Sequence, residues 1–516
     1  MTLYYLLMFA IIHLMKHTEN RNAADVALIS LSGRMLTLLG RTMSLAIFGM
    51  ANPLLNAFNY ALHVPNVLFN VVGTALNTVM IPVYSSLLAE ERREEAKKFI
   101  DNIISISMVL IGVLVFAGIL AAPMISDFVA GPGYEHSAYL TFTLRFLMPV
   151  MIFFGFSAIF QGLLQSNGIF RLPAFVSAPG GIVMILYLVF LGERFGVTGL
   201  VFATALGLFL QPLIMIPAMW KLGYRYKFSF DLKNPHIRMA GKLSIPVLIS
   251  VSSYQINFIF NHTVAFGFGT VAIMDYSQLL VQVFMLTIVY AIASVYFPKM
   301  SALWAKADFK GYVDSLRNSL LYTIFIVLPA ALGLLLLRYE IMDFLLGWRE
   351  HGDNEANIIM AGNLLGLFSI GIIAISMKEA LDRAFYSTKD SRTPAFFGLL
   401  IMSISISSTL ILLPYLGPYS MPVAYCISAF LGVTGLIFRL NGKVRFIDRH
   451  LALNFTKTLL AAAIMLAAAS FGRGFAFTGI SLINLLIPAL FGAVAYFAAA
   501  YILRIPALLT IFKKEA

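Results

Sequence analysis

The stretch Phe170–Phe175 reads FRLPAF, and Ser391–Phe396 reads SRTPAF, so that Pro394 has the place in the second stretch that Pro173 has in the first. Two pairs of small residues keep the same spacing, Gly196 with Gly417 and Ala203 with Ala424. A further pair of similar stretches, at a slightly shorter spacing, consists of IPVYSSLLA at Ile81–Ala89 and FPKMSALWA at Phe297–Ala305. Three matches at nearly one spacing indicate that the chain contains an internal repeat.

Long apolar runs surround these stretches. About 20 apolar residues are needed to cross ~30 Å of hydrocarbon. Such runs, numbered here as spans 1 to 14, lie near 25–48, 55–86, 102–126, 138–164, 171–192, 196–220, 240–267, 270–298, 314–337, 356–386, 394–415, 419–440, 452–472 and 480–508. The repeat spacing covers six spans, and an even number leaves the topology unchanged. The sequence therefore predicts an all-α polytopic membrane protein of about 14 transmembrane helices, in which two six-helix lobes form parallel repeats and two C-terminal helices follow.

The repeat sets the expected organisation of the chain. We expect an N-lobe at 25–230, a C-lobe at 231–445, and two further helices with a tail at 446–516. A substrate path is expected between the lobes, as in other transporters built from repeats. The segment 1–24 stands apart, because its apolar run Leu3–Met15 is too short to span a bilayer. We interpret it as an over-extended start, with Met15 as a candidate initiator.

Composition and charge exclude several classes of protein. Of 516 residues, 60% are apolar and 12% are charged, about half the charged fraction of a soluble domain. Disordered chains are excluded on the same grounds. The single cysteine, Cys426, allows no disulfide within the chain and no Cys-based metal site. The net charge of +12 does not indicate nucleic-acid binding, since basic connections are a general property of membrane proteins.

The basic residues alternate between connections. Those after even-numbered spans carry most of them, including Arg92, Arg93, Lys97 and Lys98, Arg171, Lys221, Arg225, Lys227 and Lys233, Lys299, Lys306 and Lys310, Lys389 and Arg392, and Lys443, Arg445 and Arg449. The connections after odd-numbered spans are nearly bare of them. By the positive-inside rule, both termini are expected in the cytoplasm.

Two arginines in span 1 are the first candidates for a binding site. Arg34 and Arg41 are seven residues apart, so they share one helix face and lie about 10 Å apart along the axis. A charge facing lipid is costly, and the one acid in spans 1 and 2, Asp25, lies nine residues before Arg34 and beyond the reach of a helical ion pair. A polar cavity that receives a pyrophosphate is one interpretation, since arginine binds two oxygens at once. The other is that one arginine extends to the membrane interface.

Further polar residues lie within the spans. Arg145 in span 4 either lines the cavity or reaches lipid headgroups. Asp275 and Gln278 lie on one stripe of span 8, where Asp275 is either a cation or proton site or an interfacial residue. Lys378 can pair with Asp382 four residues later, and Glu379 with Arg383, in which case the cluster is a structural anchor. Asn257, four residues from Asn261 in span 7, lines the cavity or bonds between helices.

Enzyme signatures do not occur in the sequence. There is no phosphate-binding loop ending in GK[ST], and no HExxH or GxSxG motif. We therefore expect a transporter without an enzymatic activity, a cofactor or a metal, driven by an ion gradient or by the membrane potential. Each elementary charge that crosses 100 mV contributes ~2.3 kcal/mol.

Several stretches resemble the MurJ/MviN branch of the multidrug/oligosaccharidyl-lipid/polysaccharide exporter superfamily. They are IFG at Ile47–Gly49, NAF at Asn56–Phe58, the pair Pro65–Asn66, AGPGY at Ala130–Tyr134, QIN at Gln255–Asn257, and KEALDRAFYSTKDSRTP at Lys378–Pro394. The resemblance covers roughly 25 to 505. It implies a lipid II flippase of the bacterial inner membrane, active in peptidoglycan synthesis and cell shape, with a lipid-linked saccharide, membrane lipids and cell-wall synthesis proteins as partners. It also makes Asn56 and Lys378 candidate cavity residues.

The chain departs from the family pattern at three cavity positions. Asn56 stands where the family has an acid, Phe69 and Asn70 follow the Pro-Asn pair where it has an arginine, and Leu279 stands at the position of another arginine. These differences favour the alternative of a flippase for another lipid-linked oligosaccharide. A cation-coupled drug antiporter and a membrane scaffold without transport are the remaining alternatives.

Overall fold

The computed structural model describes residues 21–131, 133–347, 354–475 and 480–508, and the expectations for the segment 1–24 fall almost wholly outside this part of the chain. The described residues form helices and no strand. The helices are α1 Arg21–Phe48, α2 Pro53–Ala89, α3 Arg93–Ala130, α4 Ser137–Leu147, α5 Val150–Ser166, α6 Arg171–Ala174, α7 Ala178–Phe190, α8 Gly192–Leu213, α9 Ile216–Lys221, α10 Pro235–Gly267, α11 Val271–Ala305, α12 Phe309–Leu336, α13 Arg338–Leu346, α14 Asn354–Ser387, α15 Arg392–Leu416, α16 Ser420–Val444, α17 Arg449–Arg473 and α18 Ser481–Ile502. The prediction of an all-α chain is confirmed.

Each predicted span coincides with a helix or with two consecutive helices. Within the described residues, nine stretches are long and apolar enough to cross a membrane, and one of them, 392–444, contains both α15 and α16. Spans 4, 5 and 6 are each divided in two. Pro149 lies at the break between α4 and α5, because proline lacks an N–H and its ring blocks the preceding turn.

The chain forms two compact units. The N-terminal unit comprises Asn22–Ala272, and the C-terminal unit contains the chain from Ile273 onward. The division therefore comes well after the repeat boundary expected at 230. The reason is that α10 packs along α2 within the N-terminal unit.

The backbone confirms the internal repeat. Gly196 has φ 57° and ψ −152°, and its counterpart in the second repeat, Gly417, has φ 53° and ψ −129°. Backbone with positive φ and strongly negative ψ is accessible almost only to glycine. Three more repeat-related pairs share a positive φ, namely Gly49 with Gly269, Glu91 with Ala307, and Gly168 with Lys389. The two copies thus keep the same turns even where the residues differ.

Within the C-terminal unit, the last two helices pack on α12. Ala461 and Ala462 of α17 and Tyr496 of α18 are buried against Phe325 of α12. The Tyr496 hydroxyl donates to the Phe325 carbonyl at 2.5 Å. At one end, the Arg473 guanidinium pairs with the Glu340 carboxylate at 2.7 Å. These contacts anchor the appended helices to the second repeat.

Candidate functional site

The arginines of α1 lie away from the face by which this helix packs. A Cβ at Gly181 of α7 would come within 2.8 Å of the α1 backbone at Leu36 and Thr37, so α1 and α7 approach closely. Arg34 and Arg41 lie on a neighbouring face, at about 100° per residue. Arg34 is exposed and Arg41 is half-buried. Among the residues that the structure describes, no acid pairs with Arg34.

A stripe of polar residues runs along α2 on one face. Its members follow at intervals of three and four residues, namely Asn56, Asn59, His63, Asn66 and Asn70. Asn56, Asn59 and His63 are buried. The Asn70 amide donates to the Asn66 side-chain oxygen at 2.8 Å. Only Asn56 of this stripe was predicted as a site residue, although the helical spacing of the other four is visible in the sequence.

Both the nitrogen and the oxygen of the Asn56 side-chain amide form hydrogen bonds within the fold. Its nitrogen donates to the Asn52 carbonyl at 3.0 Å, and its oxygen accepts from the Ala272 backbone N–H at 3.0 Å. Ala272 lies in the first turn of α11, where backbone N–H groups lack partners within the helix. Asn56 therefore caps α11 from a distant part of the chain, which accounts for a polar side chain buried in α2.

Two further pairs connect α2 with α10. The Tyr60 hydroxyl lies 3.1 Å from the Thr263 hydroxyl. The imidazole rings of His63 and His262 have centroids 4.4 Å apart, and His262 also stacks on Phe258. His262 Nδ1 lies 2.8 Å from the Phe258 carbonyl oxygen, and because a carbonyl only accepts, Nδ1 carries the proton. Both histidines are buried.

Asn257 lies one to two turns before this pair on α10. Its side-chain oxygen accepts from the Asn261 amide at 3.5 Å, a weak bond by geometry. Both asparagines are half-buried. Asn257 thus adds an accessible polar group to the helix that packs against the α2 stripe.

Arg145 lies elsewhere in the N-terminal unit. It is exposed near the end of α4, and its Nε donates to the Ile119 carbonyl at 3.4 Å. It lines a pocket with Asp127, and no other predicted site residue lines this pocket. The structure thus does not bring Arg145 together with the arginines of α1.

The remaining predicted residues belong to the C-terminal unit. Asp275 on α11 is buried, with 6% of its surface exposed, and Gln278 one turn later is half-buried. Lys378 on α14 donates to Asp382 at 2.5 Å, and Arg383 pairs with Glu379 at 2.6 Å. Both predicted pairs of α14 are confirmed. They neutralise each other's charges locally, as a structural anchor would.

The chain is similar to known proteins over most of its length. The family model described as Lipid II flippase MurJ matches residues 45–490. The lipid II flippase MurJ of Burkholderia cenocepacia is 24% identical over 462 residues, which cover 86% of this chain and 88% of the relative. A probable lipid II flippase MurJ of Rhizobium meliloti is 23% identical and covers 86% of this chain and 85% of that protein.

Solved structures show the same fold. A lipid II flippase MurJ in an inward closed conformation superposes with a TM-score of 0.78 at 22% identity, covering 92% of this chain and 98% of the other. A multidrug resistance transporter of the MATE family in an inward-facing conformation has a TM-score of 0.64 at 17% identity, covering 81% of this chain and 98% of the other. With a family match that extends from α1 to α18, this chain belongs to the lipid II flippase MurJ family.

Proposed function

We propose that this membrane protein is a flippase that moves lipid II, the undecaprenyl-pyrophosphate-linked peptidoglycan precursor, across the bacterial inner membrane by alternating access. The observation that carries the proposal is the family match over residues 45–490. The named relatives that match over most of both chains are lipid II flippases or probable lipid II flippases. The chain acts by transport, and its enzymatic inactivity is part of this proposal.

The arginines of α1 are the proposed contact for the pyrophosphate. Arg34 and Arg41 share a face about 10 Å long, which is suited to an extended dianion. Arg34 is exposed and has no acid partner among the described residues, so its donors are available to phosphate oxygens. A guanidinium binds such oxygens in pairs. The polyprenyl tail remains in the bilayer during the transfer.

The other predicted residues have supporting roles in this proposal. Asn257 and Gln278 are half-buried and offer uncharged hydrogen-bonding groups to the saccharide. Asp275 is the candidate for coupling to a cation or proton. Lys378 is paired with Asp382. The pair balances the charge of Lys378, so that the helix does not contain an unpaired buried charge.

We further propose the orientation of the chain. Its basic connections lie in the cytoplasm together with both termini, as the alternation of Lys and Arg predicts. The membrane potential then helps to move the anionic headgroup outward, because the cytoplasm is negative. Cell-wall synthesis proteins that use the exported precursor are the proposed partners.

The test is complementation in cells depleted of their own lipid II flippase. The wild-type chain should restore growth and cell shape. Arg41→Ala and Arg34→Ala should each reduce rescue at least tenfold, as expected for the loss of one charge-assisted contact of about 1.5–3 kcal/mol. The matched control is Arg194→Ala, an exposed arginine of α8 that lies over the Phe195 ring.

The outcomes separate the function from the site. No rescue by the wild-type chain at normal membrane levels would contradict lipid II as the substrate and favour another lipid-linked oligosaccharide. Full rescue by the Arg34→Ala/Arg41→Ala double variant would contradict the assignment of the pyrophosphate contact and leave the substrate intact.

A further inference from the structure

A pocket of about 580 Å³ opens where α3 ends and α4 begins, within the N-terminal unit. Opposite charges, Arg145 and Asp127, line it together with the hydroxyl-bearing residues Ser137 and Thr141 and the rings of Phe142 and Phe146. Both charged residues are exposed. In the part of the chain that the structure describes, neither forms an ion pair. The two charges therefore face one space without neutralising each other.

The guanidinium of Arg145 lines the pocket with most of its donors unused. Its Nε donates to the Ile119 carbonyl at 3.4 Å, which uses one of the five N–H donors of the group. The two terminal nitrogens keep their donors for the pocket. Phosphate oxygens match this fork with two parallel bonds. The polar end of the pocket that holds Arg145 thus fits a phosphate.

The two charges lie at different depths along α3. Ile119, which holds the guanidinium, precedes Asp127 by eight residues, or about 12 Å of helix. Asp127 lies near the end of α3. The Arg145 guanidinium contacts α3 about two turns earlier, farther from that end. In a phospholipid the phosphate is nearer the acyl chains than the headgroup amine is. The order of charges in the pocket therefore matches the order of charges in an aminophospholipid.

Apolar rings also line the pocket. Phe142, one of these rings, is 42% exposed. The rings of Phe142 and Phe146 are stacked with centroids 6.0 Å apart. In a membrane-spanning chain, such exposed side chains face acyl chains. The occupant is therefore expected to carry lipid tails.

We propose that this pocket binds an aminophospholipid of the phosphatidylethanolamine class, with its phosphate on Arg145 and its primary ammonium on Asp127. The site is separate from the arginines of α1 and goes beyond the proposed function. It also removes Arg145 from the residues that contact the transported substrate. Arg145 instead binds a bilayer lipid. It does so at the end of the N-terminal unit that lies opposite the basic connections of this unit.

The test is native mass spectrometry of the full chain, stripped of lipid in detergent. It is titrated with phosphatidylethanolamine, phosphatidylcholine and phosphatidylglycerol that have identical acyl chains. Phosphatidylethanolamine should bind about fivefold more tightly than the other two, as expected for one partly exposed charge pair. Phosphatidylcholine keeps the positive charge but cannot donate hydrogen bonds to a carboxylate, and phosphatidylglycerol has no amine.

Variants test the ammonium contact and the phosphate contact separately. Asp127→Asn should abolish the preference for phosphatidylethanolamine. Arg145→Gln should weaken binding of all three lipids, and Arg145→Lys should weaken it less, because the charge remains. Matched controls at the same end are Glu135→Gln and Arg194→Gln, both exposed and outside the pocket, and both should bind like the wild type.

The proposal is overturned if the wild-type chain does not distinguish phosphatidylethanolamine from the other two lipids. It is equally overturned if Asp127→Asn keeps the preference or if the control variants lose it. The comparison of lipids on the wild-type chain does not depend on the folding of any variant, so it decides the proposal by itself.

Discussion

In each repeat, the first turns of one helix bind a connecting segment, a contact called here a junction. The two junctions place hydrogen-bond donors and acceptors on opposite sides. In the first repeat, the start of α3 holds the segment that follows α9. Asp101 accepts from the Tyr224 hydroxyl at 2.6 Å and from the Lys227 backbone N–H at 3.2 Å. Asn102 exchanges two bonds of 2.7 Å with the backbone of Asp231. The helix therefore supplies mostly acceptors, and the segment supplies donors.

In the second repeat, the start of α12 holds the segment that follows α16. Arg317 has the repeat position of Asp101, at the spacing that relates Ile81–Ala89 to Phe297–Ala305. Its Nε donates to the Phe446 carbonyl at 2.7 Å, and its guanidinium pairs with Asp448 at 3.1 Å. Here the helix supplies donors and the segment supplies acceptors, the reverse of the first junction.

The difference shows that the repeat preserves a contact rather than a residue. Asp101 is 4% exposed, whereas the Arg317 and Asp448 side chains are 19% and 36% exposed. Burial raises the pKa of the Tyr224 phenol, and the bond to Asp101 raises it further, so the hydroxyl stays protonated as a donor. The first junction therefore has a buried acceptor on the helix, while the side chains of the second junction are partly exposed to water.

The largest expected effect follows from that contrast. Asp101→Ala leaves the half-buried Tyr224 hydroxyl and a backbone N–H without their buried acceptor, at a cost of about 3 kcal/mol. Arg317→Ala removes a junction that water can replace in part, and it should cost about 1 kcal/mol. Equilibrium unfolding of both variants in mixed micelles measures the difference in the free energy of unfolding.

Asp314→Ala removes the exposed ion-pair partner of Arg317 and is the control for the surface part of that network. The Asp314 side chain is 54% exposed and lies 3.3 Å from the Arg317 guanidinium, so its loss should change stability by no more than about 0.5 kcal/mol. Equal losses for Asp101→Ala and Arg317→Ala would contradict the distinction between a junction with a buried acceptor and a partly exposed one.

A second prediction concerns the turns that the repeats share. Gly196→Asn should cost about 2 kcal/mol, because its φ and ψ suit glycine almost alone. Gly168→Asn should cost less than about 1 kcal/mol, since a lysine occupies the equivalent positive-φ position in the second repeat. A Cβ at either glycine meets nothing within 4 Å, so backbone strain alone separates them. Thermal unfolding midpoints would show it, and a larger loss at Gly168 would refute it.

The smallest expected effect is a pH dependence of the free energy of unfolding that arises only in the second repeat. Burial alone would raise the pKa of Asp390, but bonds from the Thr393 N–H and hydroxyl, with the charge of Lys443, lower the pKa below its usual 3.8. The stability that Asp390 contributes is therefore fully present above its usual pKa and is lost as pH falls through the lowered value. It should amount to about 0.5–1 kcal/mol, as for a helix cap.

The measurement compares wild-type and Asp390→Asn unfolding at neutral pH and at pH about 3. The difference between them should shrink at the acidic pH. The equivalent residue in the first repeat is Ile169, which has no titratable group. Ile169→Val should therefore change stability equally at both pH values, and a matching acid sensitivity there would contradict the comparison.

Local patterns predicted much of the fold. The spans followed from runs of apolar residues, and the pairs Lys378–Asp382 and Glu379–Arg383 followed from helical spacing, since residues four apart face each other on any helix. The repeat was predicted from FRLPAF and SRTPAF. The equivalence of Asp101 and Arg317 could not be predicted, because two unlike side chains at one repeat position look like a mismatch.

By itself, the sequence determined the helical membrane class and the shared face of Arg34 and Arg41, which depend on patterns within one segment. It also determined the repeat, which depends on the likeness of two stretches of sequence. Only the tertiary structure decided that Asn56 caps α11, that His63 meets His262, and that Arg145 shares a pocket with Asp127. These contacts join residues that no local period relates. The physical reason is that a buried polar group must find its partner wherever packing places one, and packing is a property of the whole unit.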